Sequence, residues 1–466
     1  MRGEAFAGKG RLCVMRVVLA LLIGVLGSNT SRAFEWHFEV VDGTWGVSYS
    51  SLALDRENRP HISYFVAGTR DLKYAWRGDA GWIVETVDTE GDVGSYGSLA
   101  LDEAGYPHIS YHDGDNSDLK YANKDSSGWH IEVAVSDGWV GEFTSIALTD
   151  AGTPCISCTR LNAGHGLEYA YRSESGWRHE TIDSLENFCP YTSLALDDEG
   201  RAHLSYMAVT NSTELRYAVR SESGWVVTTV DSTGLPGHHS SLALDRLGFP
   251  HISHFSPSGS RVELASRDSS GWHTETAGYG QAYDTYSSLC LDADDRPYIG
   301  YYRDRACVLM LSFKDESGWH TETVDDGGSY LSLALDDAGA PRLSYMGAGG
   351  LRYAYAEPVG VPEWARRDGT LVFRVCPNPA RSTISVQCHS DGGLHGAGGC
   401  AYLKVFDCLG RLVAAPLNDM RLDGTGASRW DLTTCRGDRV QSGVYFLILQ
   451  DDAGQSAALE RLVVLE

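Results

Sequence analysis

The string SLALD recurs about every 47 residues along this chain and constrains its fold more than any other sequence feature. Its first copies begin at Ser51 and Ser98, and a divergent copy, SIALT, begins at Ser145. Three further strings keep the same spacing: P-H-I-S-Y, L-K-Y-A and a run that opens with tryptophan. Each string occurs seven times, which predicts a fold assembled from seven similar structural units.

The four strings have the pattern of β-strands, and we name them A (SLALD), B (HISY), C (LKYA) and D (the tryptophan run). Bulky and small side chains alternate with a period of two in A, B and C, and D is rich in Thr, Val and Ile. Four short strands in about 40–50 residues resemble one blade of a β-propeller repeat protein. We therefore predict an all-β fold, a seven-bladed β-propeller with four-stranded blades.

The ends of the repeat array predict how the ring closes. The array begins with a D strand, Trp36–Val41, and ends with a C strand, Leu351–Ala354. Seven complete blades form only if the N-terminal strand completes the last sheet. We expect this pairing to close the last blade and to leave no open edge in the ring.

Loop lengths distinguish the two ends of each predicted blade. The A–B and C–D loops have nearly constant lengths, whereas the B–C and D–A loops vary. Because consecutive strands are antiparallel, the constant loops share one end, here called the uniform face, and the variable loops share the other, the diversified face. Functional residues are commonly carried by variable loops on a rigid scaffold, so we expect the binding site on the diversified face.

The chain divides into four segments. Residues 1–33 have the pattern of a signal peptide, because Arg11 and Arg16 precede the apolar run Val17–Gly27, and Ser31 and Ala33 supply small residues at the expected cleavage positions. The alternative, a membrane anchor, is disfavoured because the run is shorter than the roughly 20 residues of a spanning helix. Residues 34–357 hold the repeats, 358–371 form a linker, and 372–466 form a second domain. We expect a secreted or cell-surface protein with no transmembrane anchor after signal cleavage.

Three motifs occur in the second domain: Pro377–Pro379, Val405–Arg411 and Ser442–Phe446. In this order they resemble the C-terminal sorting domain of the bacterial type IX (Por) secretion system. The resemblance implies a small Ig-like β-sandwich. It also implies that the type IX machinery is a partner and exports the protein.

Charge excludes one class of partner. The chain carries 38 basic and 62 acidic residues, for a formal net charge of −24. Binding to nucleic acid relies on basic contacts to phosphate, so nucleic acid is not an expected partner. We expect a monomer without a cofactor.

One loop is a candidate calcium site. Residues 112–118 concentrate oxygen ligands, the donor type that Ca²⁺ prefers. The candidate ligands are Asp113, Asp115 and Asp118. The alternative is a polar B–C hairpin, which the spacing favours because it does not match a full calcium-binding loop.

An aromatic position opens strand A in every repeat and is the main candidate binding site. Its seven side chains should approach the central channel on the diversified face, where their ring faces could stack on a sugar or another flat ligand. The alternative is packing between adjacent blades. The candidate ligand-binding residues are Tyr49, Tyr96, Phe143, Tyr191, His239, Tyr286 and Tyr330, together with Trp139, Arg303 and Arg305 on the diversified loops.

Three functions remain open from the sequence. The first is a binding protein that recognises a glycan or a surface protein and needs no catalytic residues. The second is a carbohydrate-active enzyme, a polysaccharide lyase or glycosidase, whose catalytic groups would come from His, Tyr and Arg of the diversified loops. The candidates are Arg160, His165, His238, His239, Tyr302, Arg303 and Arg305. The third is a structural adhesin. We identify no catalytic set, which favours the binding protein.

Overall fold

The computed structural model describes residues 34–161, 166–184, 190–280, 286–303, 307–358, 371–376, 384–390, 400–407, 412–421, 425–434, 439–441, 443–451 and 456–464. Arg32–Pro358 form one compact unit, and Val359–Glu466 belong to a second. The predicted signal peptide and the motif Pro377–Pro379 lie outside the described residues.

The first unit consists of antiparallel sheets, five of which have four strands in sequential order. It opens with β1 (Phe34–Asp42). The first three four-stranded sheets are β2 (Val47–Leu54), β3 (Pro60–Val66), β4 (Asp71–Gly78) and β5 (Gly81–Asp88); β6 (Val93–Leu101), β7 (Pro107–Asp113), β8 (Asp118–Asp125) and β9 (Gly128–Val135); β10 (Trp139–Leu148), β11 (Pro154–Leu161), β12 (Gly166–Ser173) and β13 (Gly176–Ser184). The next two are β14 (Ser193–Leu196), β15 (Ala202–Val209), β16 (Thr213–Ser221) and β17 (Gly224–Asp231); β18 (His238–Leu244), β19 (Pro250–Ser256), β20 (Arg261–Asp268) and β21 (Gly271–Tyr279).

The last two repeats share one seven-stranded sheet, because the long strand β25 continues from strand D of one repeat into strand A of the next. The strands are β22 (Ser287–Leu291), β23 (Pro297–Arg303), β24 (Val308–Asp315), β25 (Gly318–Leu335), β26 (Pro341–Gly347) and β27 (Gly350–Pro358). Strand β1 adds to this sheet by pairing antiparallel with β27, with Trp36 opposite Ala356. The N-terminal strand therefore has the partner that the repeat array predicts.

Adjacent repeats are joined by equivalent hydrogen bonds. The first serine hydroxyl of each SLALD string accepts a hydrogen bond from a backbone amide in strand A of the next repeat. The last of these bonds runs from the Leu52 amide to Ser332 Oγ, 3.1 Å, and returns to the first repeat. The other six join Leu99 to Ser51, Ile146 to Ser98, Leu194 to Ser145, Leu242 to Ser193, Leu289 to Ser241 and Leu333 to Ser288.

The core lies between neighbouring sheets. Fully buried side chains such as Ile62 and Tyr64 belong to clusters that also contain residues of the preceding sheet. The D-strand tryptophans pack edge-on against tyrosines, as Trp129 does against Tyr74 with ring centroids 5.4 Å apart. These large rings fill space between neighbouring sheets.

The repeated Asp and His of the A–B hairpins have a structural role. Asp55 Oδ1 accepts hydrogen bonds from the amides of Glu57 and Arg59, at 3.0 and 2.8 Å. His61 is buried between Asp55 and the Tyr74 hydroxyl. Burial lowers the pKa of His61, although its contacts with Asp55 raise it. The uniform face thus consists of turns in which the polar groups of Asp55 and His61 already have partners.

The second unit contains two described sheets. The strands are β28 (Leu371–Cys376), β29 (Ile384–Ser390), β30 (Cys400–Asp407), β31 (Leu412–Arg421), β32 (Thr425–Trp430), β33 (Gly443–Asp451) and β34 (Ser456–Val464). One sheet has the order β28-β29-β32 and the other β31-β30-β33-β34. The described parts of two of the motifs named above lie on β30 and β33, where Phe406 pairs with Phe446.

The described residues are almost wholly strands and turns. Their one helical segment is a 3₁₀ turn at Pro257–Gly259. None of the helices in the described ranges has the length and apolar character needed to cross a bilayer.

Candidate functional site

The seven aromatic positions that open strand A form a closed ring, which we call the aromatic collar. Each side chain contacts its neighbours in the preceding and following repeats, with ring centroids 3.9–4.9 Å apart. The series returns to its start where Tyr330 meets Tyr49 at 4.9 Å. The collar members are Tyr49, Tyr96, Phe143, Tyr191, His239, Tyr286 and Tyr330. Ligand binding and packing between adjacent repeats were the two interpretations of these positions. The ring contacts show that the packing between adjacent repeats is present.

The backbone of the collar is strained. Six of its residues have φ between 48° and 62°, in the left-handed region that bulky side chains seldom adopt. Such a conformation costs about 1–3 kcal/mol per residue and persists only where the surroundings enforce it. The six residues are Tyr49, Tyr96, Phe143, Tyr191, His239 and Tyr330.

In most repeats, a hydroxyl group of the next repeat donates a hydrogen bond to the backbone carbonyl of the strained collar residue. Thr144 Oγ1 donates to the Tyr96 carbonyl at 2.8 Å, and it also receives a hydrogen bond from Ser110 Oγ at 2.8 Å. In the second repeat, Gly97 occupies the position of Thr144 and offers no hydroxyl. Ser63 Oγ, the equivalent of Ser110 Oγ, has no hydrogen-bond partner among the described residues. The other hydroxyls that donate to collar carbonyls belong to Ser50, Thr192, Ser240 and Ser287.

Replacing Thr144 with valine should destabilise the protein by about 1–3 kcal/mol. Valine keeps the shape but leaves the Tyr96 carbonyl without its donor and the Ser110 hydroxyl without this acceptor. Urea unfolding of the wild-type and Thr144→Val proteins would measure the difference. Equal midpoints would mean that the hydroxyl does not hold the collar.

The collar surrounds a cavity of about 330 Å³. Aromatic rings form one part of its wall, and the first serines of the SLALD strings, such as Ser51 and Ser98, form another. None of the described residues that line it is Lys, Arg, Asp or Glu. Burial, followed by the neighbouring tyrosines, raises the pKa of Tyr49 and Tyr286, so these phenols stay neutral. The cavity therefore offers ring faces and hydroxyl groups to an uncharged ligand.

Glu142 lies near the collar without lining the cavity, and it was not predicted from the sequence. Its carboxylate interacts electrostatically with Tyr49 and Tyr96 of the collar and helps to raise their pKa values. Burial raises the pKa of Glu142 itself, while a hydrogen bond from Trp139 Nε1 at 3.1 Å opposes that rise. The equivalent residues in three other repeats are Ser48, Ser95 and Ser329. The remaining three equivalents are Pro190, His238 and Thr285, so Glu142 is the single acid at this position, which was a usable signal.

Exposed aromatic side chains stand on the D–A loops of the same face. Trp45, between β1 and β2, is 85% exposed, and Trp139 at the start of β10 is 43% exposed. Tyr279 at the end of β21 is 63% exposed. Trp139 was predicted from the sequence and Trp45 was not, although each lies four residues before a collar position, which was the available signal.

Two further predicted site residues that the structure describes, Trp139 and Arg303, are not among the residues that line the cavity. Arg303 ends β23, and its buried Nε has no hydrogen-bond partner among the described residues. Arg305 lies outside the described residues, as does the lyase candidate His165. Arg160, another such candidate, is paired with the buried Glu168 through Nε at 2.9 Å.

The candidate calcium loop has other partners for its carboxylates. Asp113 accepts hydrogen bonds from the backbone and side-chain nitrogens of Asn116, and Asp115 accepts one from the Asp92 amide. Lys120 Nζ lies 3.8 Å from Asp113 Oδ2. Burial and the charge of Asp113 raise the pKa of Asp118. A calcium site at Asp113, Asp115 and Asp118 stays a prediction.

Comparison with known proteins finds remote structural similarity only. No protein-family model matches the chain, and no curated protein matches it. A lectin of Aleuria aurantia in complex with Fucα1-6GlcNAc is 13% identical over 60% of this chain and 96% of its own, with a TM-score of 0.42. An ulvan lyase of a new polysaccharide lyase family, bound to -[GlcA(1-4)Rha3S]-, is 13% identical over 67% of this chain and 94% of its own, with a TM-score of 0.47.

PorZ, a bacterial surface component of the type IX secretion system of Porphyromonas gingivalis, is 13% identical over 87% of this chain and 68% of its own, with a TM-score of 0.34. Similarity this remote assigns no function to the chain.

Proposed function

We propose that the seven repeats form a closed seven-bladed β-propeller and that the protein is a secreted or cell-surface glycan-binding protein. The observation that carries this proposal is the collar cavity, whose wall combines aromatic faces with hydroxyl groups. Sugars present apolar C–H faces and a rim of hydroxyls, so both kinds of surface have a matching partner. The series of seven Ser–Leu/Ile hydrogen bonds, which returns to its starting repeat, supports the closed ring.

The charge of the cavity favours binding over lyase chemistry. A polysaccharide lyase must neutralise the substrate carboxylate before a neighbouring proton is removed. No described residue in the cavity lining is Lys or Arg. We therefore place a neutral sugar over the collar, with the carboxylate of Glu142 available to accept hydrogen bonds from its hydroxyls.

A glycan-array screen of the mature protein, run beside an ultraviolet assay for the unsaturated product of β-elimination, tests this proposal. We expect binding of one class of neutral glycan and no product with uronic-acid polysaccharides. Product formation would favour the enzyme. The absence of any glycan ligand would favour a surface-protein ligand or a structural adhesin.

Trp45→Ala and Trp139→Ala should each weaken glycan binding by about 1–3 kcal/mol if these rings stack on the ligand. Leu247→Ala is the matched control, because Leu247 is 80% exposed but lies in an A–B hairpin of the uniform face. Calorimetric titration with the best array ligand measures all three variants. A loss of affinity in Leu247→Ala alone would put the site on the wrong face.

We further infer that residues 372–466 direct export through the type IX machinery. Support comes from the sorting-domain motifs, two of which lie on the paired strands β30 and β33. Truncation after Pro358 in a host with that machinery should abolish surface delivery and leave a folded propeller. Unchanged delivery of the truncated protein would contradict the inference.

A further inference from the structure

Four repeats contain the same charge cluster, buried or half-buried, at the diversified face. An Asp at the end of strand D accepts a hydrogen bond through Oδ2 from the strand B tyrosine and another from a strand C cation. In the second repeat Asp88 Oδ2 lies 2.7 Å from the Tyr111 hydroxyl and 2.5 Å from Lys120 Nζ. The other three clusters are Asp42 with Tyr64 and Lys73, Asp183 with Tyr206 and Arg216, and Asp325 with Tyr345 and Arg352.

The fifth repeat keeps the Asp and replaces both of its partners. Asp231 occupies the Asp position, His254 replaces the tyrosine, and Glu263 replaces the cation. One ring nitrogen of His254 and one carboxylate oxygen of each acid all lie within 4.8 Å of one another. Two carboxylates now face each other where the other repeats pair a carboxylate with a cation. This reversal of charge creates a place for a bound cation.

Hydrogen bonding leaves ligand atoms of the cluster available. Asp231 accepts the amide and hydroxyl of Thr233 through Oδ1, both at 2.8 Å. Asp231 Oδ2 has neither the tyrosine hydroxyl nor the Lys or Arg that donates to the equivalent Oδ2 atom in the four clusters above. His254 is fully buried, and among the described residues its Nε2 has no hydrogen-bond partner. The buried His254 ring, one nitrogen of which reaches both carboxylates, therefore keeps a nitrogen that needs a partner, and the described residues do not provide one.

Glu263 is held in place from its other side. Arg261 Nε lies 2.7 Å from Oε1, and Ser256 Oγ donates to Oε2 at 2.5 Å. These contacts fix the carboxylate, and each oxygen retains a second lone pair. Because a carboxylate oxygen can accept from a protein group and still bind a metal, Glu263 has the orientation of a supported ligand.

We propose that Asp231, His254 and Glu263 bind one divalent cation of the zinc class. One imidazole nitrogen and two carboxylate oxygens suit Zn²⁺ better than Ca²⁺ or Mg²⁺, which prefer oxygen alone. Asp231 is half-buried, so water can fill the remaining coordination positions. Zinc on Nε2 places the single ring proton on Nδ1, and the long contact from the Gly237 amide to Nδ1, 3.4 Å, is then given up.

The test rebuilds the cluster of the other repeats. His254→Tyr combined with Glu263→Lys should fold, because four repeats of this chain already hold that arrangement. Zn²⁺ titration of the full mature chain, followed by calorimetry and by metal analysis after dialysis, compares this double variant with the wild type. We expect the wild type to bind one more equivalent of Zn²⁺. We expect the affinity of that site for Zn²⁺ to fall by more than about 100-fold in the double variant.

A second variant covers the case in which the rebuilt cluster does not fold. Asp231→Asn retains Oδ1 as an acceptor for Thr233 and removes only the charge, so it should also lose the extra equivalent. Identical zinc stoichiometry and affinity in the wild type and the folded variant would overturn the proposal and leave a bridging water in the cluster. Stronger binding of Ca²⁺ than of Zn²⁺ would overturn the assigned class.

Discussion

Deleting β1 is expected to lower the free energy of unfolding by at least about 3–5 kcal/mol, the scale of losing one large buried aromatic side chain. Phe34 is buried and packs edge-on against Phe313, with ring centroids 5.4 Å apart. Trp36 packs on the same cluster, and its Nε1 donates to Glu322 Oε1 at 2.9 Å. Removal also leaves β27 as an unpaired edge, which favours aggregation.

Thermal melting of a protein that begins at Val47 and one that begins at Phe34 measures this effect. Point variants separate packing from chain length: Trp36→Ala should destabilise, whereas Trp45→Ala should not, because Trp45 is 85% exposed. Equal melting temperatures for the two lengths would mean that the repeats are stable without the N-terminal strand.

Replacing Lys120 with methionine is expected to destabilise the protein by about 3–5 kcal/mol, because it leaves a buried carboxylate without its cation. The side chains of Lys120 and Asp88 are 8% and 3% exposed, and Nζ lies 2.5 Å from Oδ2. Lys73→Met is the matched control. Its ion pair with Asp42 is longer, 3.4 Å, and more exposed, so the loss there should be smaller.

The same cluster should make stability depend on acid pH. Burial raises the pKa of Asp88, but the hydrogen bonds from Lys120, the Glu90 amide and Tyr111 outweigh it, so the pKa is lowered overall. A lowered carboxyl pKa stabilises the fold above the unfolded value of about 4, and this contribution is lost as the pH falls through the folded pKa. Urea unfolding of wild type and Lys120→Met at neutral and acid pH should show their difference shrink on acidification. A difference that stays constant down to pH 2 would contradict the role given to Asp88.

The strands and the pairing of β1 with β27 could be predicted from sequence, because side-chain alternation and the order of the repeats are visible in a single chain. The collar positions followed from the same register. Its left-handed backbone could not be predicted, because the hydroxyl that holds Tyr96 comes from Thr144, 48 residues away in another repeat. Contacts such as that between Thr144 and Tyr96 join residues of separate repeats, so they become visible only in the folded structure.

Departures from the repeat were the signals that sequence reasoning used least. Two such departures, Glu142 as the single acid at its repeat position and Glu263 in place of a cation, are visible once the repeats are aligned. Their meaning depends on distance, since Glu142 matters because it lies near Tyr49 and Tyr96. Arg303 was chosen for its chemistry on a variable loop, and the structure places it outside the cavity lining.

A crystal structure of the mature protein with its best-binding glycan tests the central claim most directly. We predict that a sugar ring lies over the collar cavity, in contact with at least one collar ring and with Trp45 or Trp139. Its hydroxyls should lie within hydrogen-bonding distance of Glu142 or of a serine in the cavity wall. A glycan bound to the A–B hairpins of the uniform face, or to the C-terminal unit, would contradict this assignment.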